Sequence, residues 1–242
     1  MTPKDTARTP VSRRERPAKP ALTRQGIIDA ALEILHTDGL SKVTMRRIAT
    51  ALDTGPASLY VYVANTEDIH AQILDVLLEP VSTSAPGTGP WRDRLKALLT
   101  SYRQVLFAYP EIARMALSTH PSGPNYLALA DAVLAILAEG GVSDQAAAWG
   151  VDILLLHPTA VAVEQSAPAS FSRKTDELPA LAAKIAAVDA ARYPNLARLG
   201  GELLTGDGRT RADWAFDVLI DGILAASART DLPDVSAGQV GS

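Results

Sequence analysis

Apolar residues recur at spacings of three and four in one segment after another of this 242-residue chain, and no segment sustains the alternation of period two that a half-buried strand needs. The fold class that this leaves is all-α. Turn formers separate the helical segments: Asp38-Gly39, Asp53-Thr54-Gly55, the Pro/Gly/Ser/Thr-rich residues 80–90, His120-Pro121-Ser122-Gly123-Pro124, Gly140-Gly141, and a polar loop over residues 166–178. Between them the spacing predicts helices over 66–79, 91–108, 111–117, 125–139, 143–165 with Ser143 as cap, 180–191 and 210–228. The length suits one compact unit or a small domain joined to a larger one, and nothing reads as an internal repeat.

Residues 44–63 carry the most function-specific pattern. Thr44 suits the N-cap of a short helix, where its hydroxyl can accept an otherwise unpaired backbone N–H. Ile48, Ala49 and Leu52 then make one apolar stripe, while Arg46 and Arg47 point elsewhere. Asp53-Thr54-Gly55 supplies a sharp turn, with Gly55 tolerating the positive φ that such a reversal often requires. Pro56 fits a first helical position, where its missing N–H costs nothing. Leu59 and Val63 share an inward face, which leaves Ser58, Tyr60 and Tyr62 with hydroxyls on or near the outside.

A helix this short is marginal alone and must be held by its neighbours. The preceding segment supplies them. From a Thr23 N-cap, Ile27, Ala30, Ala31, Ile34 and Leu35 follow helical spacing until Asp38-Gly39 stops the run, and Leu40 and Val43 bridge to the next helix. Three helices with the reader helix last are a recurring DNA-binding arrangement. A plain three-helix core with an ordinary polar face would show the same spacing.

Charge is divided to match. Residues 1–66 hold ten Lys or Arg against six Asp or Glu, whereas residues 67–242 hold thirteen against twenty-one. Cations therefore gather where a phosphate backbone would lie. Residues 1–20, with six cations and four prolines, read as a disordered basic arm, either reaching DNA or serving as a solubilising tail. They lack the apolar core of a secretory signal. The longest uncharged apolar stretch, 153–163, is too short to span a bilayer, and the absence of cysteine removes disulfides, thiolate chemistry and Cys-ligated metal. Both agree with a cytoplasmic protein.

Residues 24–69 resemble the N-terminal domain of TetR-family transcriptional regulators. The match rests on Ile28-x-x-Ala31-Leu32-x-Ile34-Leu35-x-x-x-Gly39-Leu40, then Thr44-Met45-Arg46-Arg47-Ile48-Ala49, then Ser58-Leu59-Tyr60-x-Tyr62-Val63, without a gap. It is similar above all to the tetracycline-repressor branch. The resemblance implies that Thr44 contacts phosphate and that Arg46 enters the major groove, where a guanidinium can pair with guanine. Pro56, Ala57 and Ser58 would face base edges, and Tyr60 and Tyr62 would bond phosphates. Arg47 is left between a DNA contact and a solvated face. Thr66 stands where the family usually has Lys, which weakens or removes a phosphate contact.

The second half is also similar to the tetracycline-repressor-like C-terminal domain, through Ala146-Ala147-Ala148-Trp149-Gly150-Val151-Asp152 and Trp214-Ala215-Phe216-Asp217-Val218-Leu219-Ile220-Asp221-Gly222-Ile223. The resemblance implies a homodimer built on the long helix and the last helix, with Leu219, Gly222, Ile223 and Ala226 as a smooth stripe on the latter. Expected domains are 21–66 for DNA binding and 67–230 for effector binding and dimerisation, with a disordered tail over 231–242.

Polar groups on otherwise apolar helices are the pocket candidates: Tyr102, His120, Asn125, Trp149, Asp152, His157 and Gln165. Pro158 cannot donate to the carbonyl of Leu154, so a kink or local widening beside His157 is expected. Tetracycline repressors hold a magnesium chelate partly through a His that aligns with Ala116 here, so neither metal nor cofactor is expected. The implied effector is instead an apolar small molecule with a few hydrogen-bonding groups. His36, His70, His120 and His157 form no metal spacing, and no nucleophile turn or phosphate-binding loop is present. The reading is a repressor, not an enzyme, that binds a palindromic double-stranded DNA operator as a homodimer and releases it on binding a small molecule. The rival is a helical small-molecule-binding protein without sequence-specific DNA binding.

Overall fold

Thr23 opens the first helix, α1 (Arg24–Asp38): its backbone is extended and its hydroxyl accepts the Gly26 N–H at 3.0 Å. Gly39, at φ 84, ends it in a region that glycine enters without strain. A 3-10 turn (Leu40–Lys42) leads to α2 (Met45–Ala51), whose cap is the Thr44 hydroxyl accepting the Arg47 N–H at 3.3 Å. Pro56 stands at the first position of α3 (Pro56–Leu59). Ile27, Ala31, Ile48 and Leu59 are fully buried where these helices meet. The turn before α3 differs from expectation. The positive φ falls on Asp53 (φ 48), and Gly55 is extended (φ −84, ψ 146). Aspartate tolerates the left-handed region better than most side chains, so the reversal is made two residues earlier.

The computed structural model describes residues 21–82, 88–119, 121–165 and 174–230, and among them there is no strand. The arm 1–20, the tail 231–242, His120 and most of the expected polar loop lie outside the described residues. After the three short helices comes α4 (Thr66–Ser82). Asn65 accepts the Asp68 N–H at 2.8 Å while the Asp68 carboxylate accepts the Ala64 N–H at 2.9 Å, a reciprocal cap that fixes where α4 starts. The break expected from residue 80 does not begin there, because Pro80 lies inside α4. In a last turn a proline removes little more than one backbone bond, and the buried Leu78 and Val81 keep that turn packed.

The remaining helices are α5 (Trp91–Ala108), α6 (Pro110–Ser118), α7 (Pro124–Glu139), α8 (Asp144–Gln165), α9 (Lys174–Ala186), α10 (Pro194–Leu199) and α11 (Gly208–Thr230). α8 is the centre of the body, packed by α5, α6, α7 and α11. It is long and apolar enough to cross a membrane by composition, but here one side of it packs on other helices, while Trp149, Ile153 and Leu156 on the other side are exposed. It runs unbroken through Pro158 to Gln165. α4 belongs to both halves: one side meets α1, the other α5, α6 and α7, through Ile69, Ile73, Leu74 and Leu78.

Three expectations change. Residues 174–178 are helical and belong to α9, not to a polar loop, and α10 was missed because six residues hold too little periodicity. Ser143 does not cap α8 with its hydroxyl, which is buried without a partner; its N–H instead donates to Ser227 Oγ at 2.8 Å, tying α8 to α11. The stripe on the last helix divides. Ile223 is buried within the chain against Gly150, where a Cβ would come within 2.9 Å of it, while Gly222 is exposed. The outward face is formed by Trp214, Val218 and Gly222 of α11 beside Trp149, Ile153 and Leu156 of α8.

Candidate nucleic-acid interface and ligand cavity

The turn of α3 presents an uninterrupted outer surface. Pro56, Ala57 and Ser58 are all exposed, and Tyr60 just beyond them is 57% exposed. Leu59 and Val63 anchor this segment from beneath, with the Val63 N–H bonded to the Leu59 carbonyl at 3.1 Å. Tyr62, two residues on, is also exposed. Hydroxyl-bearing side chains such as serine and tyrosine are among the groups that bond phosphate in protein–DNA interfaces.

Arg46 is exposed on α2 and has no ion-pair partner among the described residues, so its guanidinium is available to an acceptor. Arg47 differs: it pairs with Asp38 at 2.7 Å and fastens α2 to the end of α1. The Thr44 hydroxyl accepts the Arg47 N–H as a cap and still has its own proton to donate. Thr66, half-buried, is the first residue of α4. Lys42 was missed from sequence; it stands exposed with Ser41, Thr44 and Arg47 around one shallow depression. A lone lysine in a three-residue 3-10 turn carries no periodic signal.

A cavity of about 260 Å³ lies between α5, α6, α7 and α8. Ala116, Leu117, Pro121, Leu155 and Leu156 give it an apolar wall, and Tyr102, Thr119, Tyr126, Asp152 and Thr159 give it polar points. Asp152 is the one charged group among the described residues lining it. Burial pushes the Tyr102 phenol far above its ordinary range, with the Thr159 hydrogen bond opposing the shift. Burial, then the Asp152 charge, raises Tyr126. Both rings are therefore neutral donors at ordinary pH.

Of the expected pocket residues, the cavity brings together Tyr102 and Asp152. His157, half-buried, lines instead an open groove of about 1700 Å³ with Arg103, Leu181, Lys184, Arg211 and Trp214, its ring edge-on to Phe216 at 6.1 Å. Asn125 lines neither space. It is spent on Asp75 of α4, its N–H at 2.9 Å from Oδ1 and its Nδ2 at 3.0 Å from the Asp75 carbonyl. Trp149 is on the outward face of α8 and 68% exposed. Nothing is described of the Gln165 side chain. Sequence missed Tyr126 and Thr159, although Asp152, Leu155, Leu156 and Thr159 follow the spacing of one helix face.

Comparison with known proteins agrees with this architecture. The model for bacterial regulatory proteins of the tetR family matches residues 27–73, and the model for the tetracyclin repressor-like C-terminal domain matches residues 83–227. An HTH-type transcriptional regulator of Saccharopolyspora erythraea is 37% identical over 124 residues, which are 51% of this chain and 52% of that protein. The chain thus spans about half the length of the first curated relatives it matches. The solved transcription regulator SCO7704 of Streptomyces is 46% identical, covering 89% of this chain and 98% of that one with a TM-score of 0.71. ActR of Streptomyces coelicolor, solved with actinorhodin bound, is 32% identical over 87% of this chain and 99% of its own, with a TM-score of 0.77. The chain belongs to the TetR family of helix-turn-helix transcriptional regulators.

Proposed function

We propose that this protein is a ligand-responsive transcriptional repressor that binds a palindromic operator as a homodimer in the cytoplasm and is released by a small molecule. The observation that carries the reading is the shared use of α4. The helix that packs against the reader domain through α1 also packs against α6 and α7, which wall the cavity. Residues 21–66 serve as the DNA-binding unit and 67–230 as the sensing and dimerising unit. Thr44, Arg46 and the outer surface from Pro56 to Tyr62 make the contacts, with Arg47 holding α2 in place and Thr66 contributing little.

The dimer uses the outward apolar face of α8 and α11. Two reader helices related by a two-fold axis demand two half-sites at one separation. A ligand that prefers another separation lowers operator affinity by its difference in affinity for the two arrangements, and by no more. The cavity suits an apolar molecule carrying a few hydroxyl or amine groups. The Tyr126 phenol lines it beside the oxygens of Tyr102, Thr119 and Thr159, whose protons are spent within the chain, and Asp152 favours a cation or a donor over an anion. That ActR is solved with actinorhodin supports a small organic effector here.

The test is operator selection from random duplexes, followed by fluorescence anisotropy across a salt series and a screen for release. A sequence-selective complex that weakens as salt rises is expected. Thr66 in place of the family's Lys favours one rival, a helical ligand-binding protein without sequence-specific DNA binding. Equal affinity for scrambled duplex would decide for that rival.

A further inference from the structure

Asp75 lies on α4 but caps α7. Its Oδ1 accepts the N–H of Asn125 at 2.9 Å and of Tyr126 at 3.0 Å, and Asn125 Nδ2 returns a bond to Asp75 Oδ2 at 3.3 Å and to its carbonyl at 3.0 Å. α7 begins at Pro124, which has no N–H, and its N-cap is Gly123 with no side chain to offer. The two unpaired amides that follow are thus satisfied from another helix, by a carboxylate at the positive end of the α7 dipole. The helices meet closely. A Cβ at Gly123 would run into the Asp75 carboxyl.

Tyr126 stands on both sides of this junction. Its N–H is held by Asp75, and its side chain lines the 260 Å³ cavity. On the reader side α4 is fastened just as closely. Gln72 Oε1 accepts Arg24 Nε of α1 at 2.9 Å, and His70 Nε2 is 3.3 Å from the Val43 carbonyl ahead of α2. A charge-assisted bond is directional, whereas an apolar helix contact can slide. Displacement of the first turn of α7 must therefore either carry Asp75 with it or break its bonds to the Asn125 and Tyr126 N–H groups.

We propose that the Asp75 carboxylate, by capping α7 from α4, is the positioning residue through which the state of the cavity sets the orientation of the reader domain. This rests on the regulatory reading above. Coupling of this kind needs two arrangements that differ at the joint, and the joint is where a double-mutant cycle can detect it.

The experiment compares the full chain, Asp75→Ala, Tyr126→Ala and the double variant for operator affinity by anisotropy. Asp75→Asn is the second variant if Asp75→Ala does not fold. Tyr126→Ala should shift operator Kd at least fivefold when Asp75 is present and less than twofold when it is absent. Hydrogen exchange at the Asn125 and Tyr126 amides should slow when operator duplex binds. In Asp75→Asn that remote change should vanish, while protection of α2 and α3 by the duplex persists. A merely structural Asp75 would lower the melting temperature and leave the cycle additive. An equal Tyr126→Ala shift in both backgrounds, or no shift in either, overturns the joint alone. Failure of the unmodified chain to form a selective complex overturns the regulatory reading, and the joint with it.

Discussion

The Tyr102 hydroxyl donates to Thr159 Oγ1 across 2.9 Å at the cavity wall, because Thr159 spends its own proton on the Leu155 carbonyl at 2.8 Å. Both side chains are buried. The direction of donation predicts an order of stabilities. Tyr102→Phe removes one neutral hydrogen bond and leaves Thr159 still bonded to Leu155, at a cost of about 0.5–1.5 kcal/mol. Thr159→Val leaves a buried phenol with no acceptor and costs about 1–3 kcal/mol. Urea unfolding of the two variants checks the order, and the reverse order would mean that the donor is Thr159.

Arg46 and Arg47 are adjacent in sequence and differ in engagement, since Arg47 is paired with Asp38 and Arg46 is not. Arg46→Ala is expected to cost about 1–3 kcal/mol of operator binding and to relax selectivity at one base pair in each half-site. Tyr60→Phe should weaken all duplexes alike. Arg47→Ala should leave selectivity intact and cost about 0.2–1 kcal/mol of stability, the worth of an exposed ion pair. Anisotropy against single-base operator variants separates the three. Unchanged selectivity in Arg46→Ala would remove it from the base-reading surface.

Burial holds the His157 imidazole below its ordinary value, and the charge of Arg103 adds to the effect. The folded chain therefore binds fewer protons at this site than the unfolded chain in the window between the lowered value and the ordinary one near 6.5. The stability that this group contributes is complete above that window and is lost as pH falls through it. An imidazole titration by NMR should place His157 below the ordinary value of an imidazole. In His157→Gln the fall in unfolding free energy on the acid side of about pH 6.5 should become shallower. A His157 midpoint at or above the ordinary value would contradict the burial argument.

How much of this was legible in the sequence depends on how far each signal reaches. The caps at Thr23 and Thr44, Pro56 at its first helical position, and the inward pair Leu59 and Val63 all act within four residues, so spacing was enough to place them. Asn125 was legible only as a polar residue on an apolar helix. Its partner, Asp75, is fifty residues away, so no local pattern could distinguish a pocket lining from an interhelix bond. Trp149 misled for the opposite reason, since a large aromatic suits a pocket and an outward apolar face equally well. Pro80 shows a third limit. A proline near a Pro/Gly-rich stretch reads as a break, but tertiary packing carried α4 two residues past it. The family resemblance supplied roles for the reader residues, whereas the cavity required helices distant in sequence to be brought together.

The outward face of α8 and α11 carries the last prediction. Trp149 is 68% and Trp214 69% exposed, and Ile153, Leu156 and Val218 lie exposed on the same two helices. The Gly150–Ile223 contact and the Ser143–Ser227 bond fix the two helices that carry these side chains against each other. Exposed large apolar side chains gathered on two packed helices mark an interaction surface, and an aromatic among them is the usual anchor of an interface. Trp149→Glu places a charge there and should weaken self-association by at least about 2 kcal/mol, roughly thirtyfold. Sedimentation velocity over a concentration series should show a dimer for the unmodified chain and a monomer for the variant at the same concentration. On the proposed reading, in which each copy reads one half-site, operator binding should fall with the dimer while helical content by circular dichroism is retained. A variant that remains a dimer with unchanged operator affinity would move the interface away from this face.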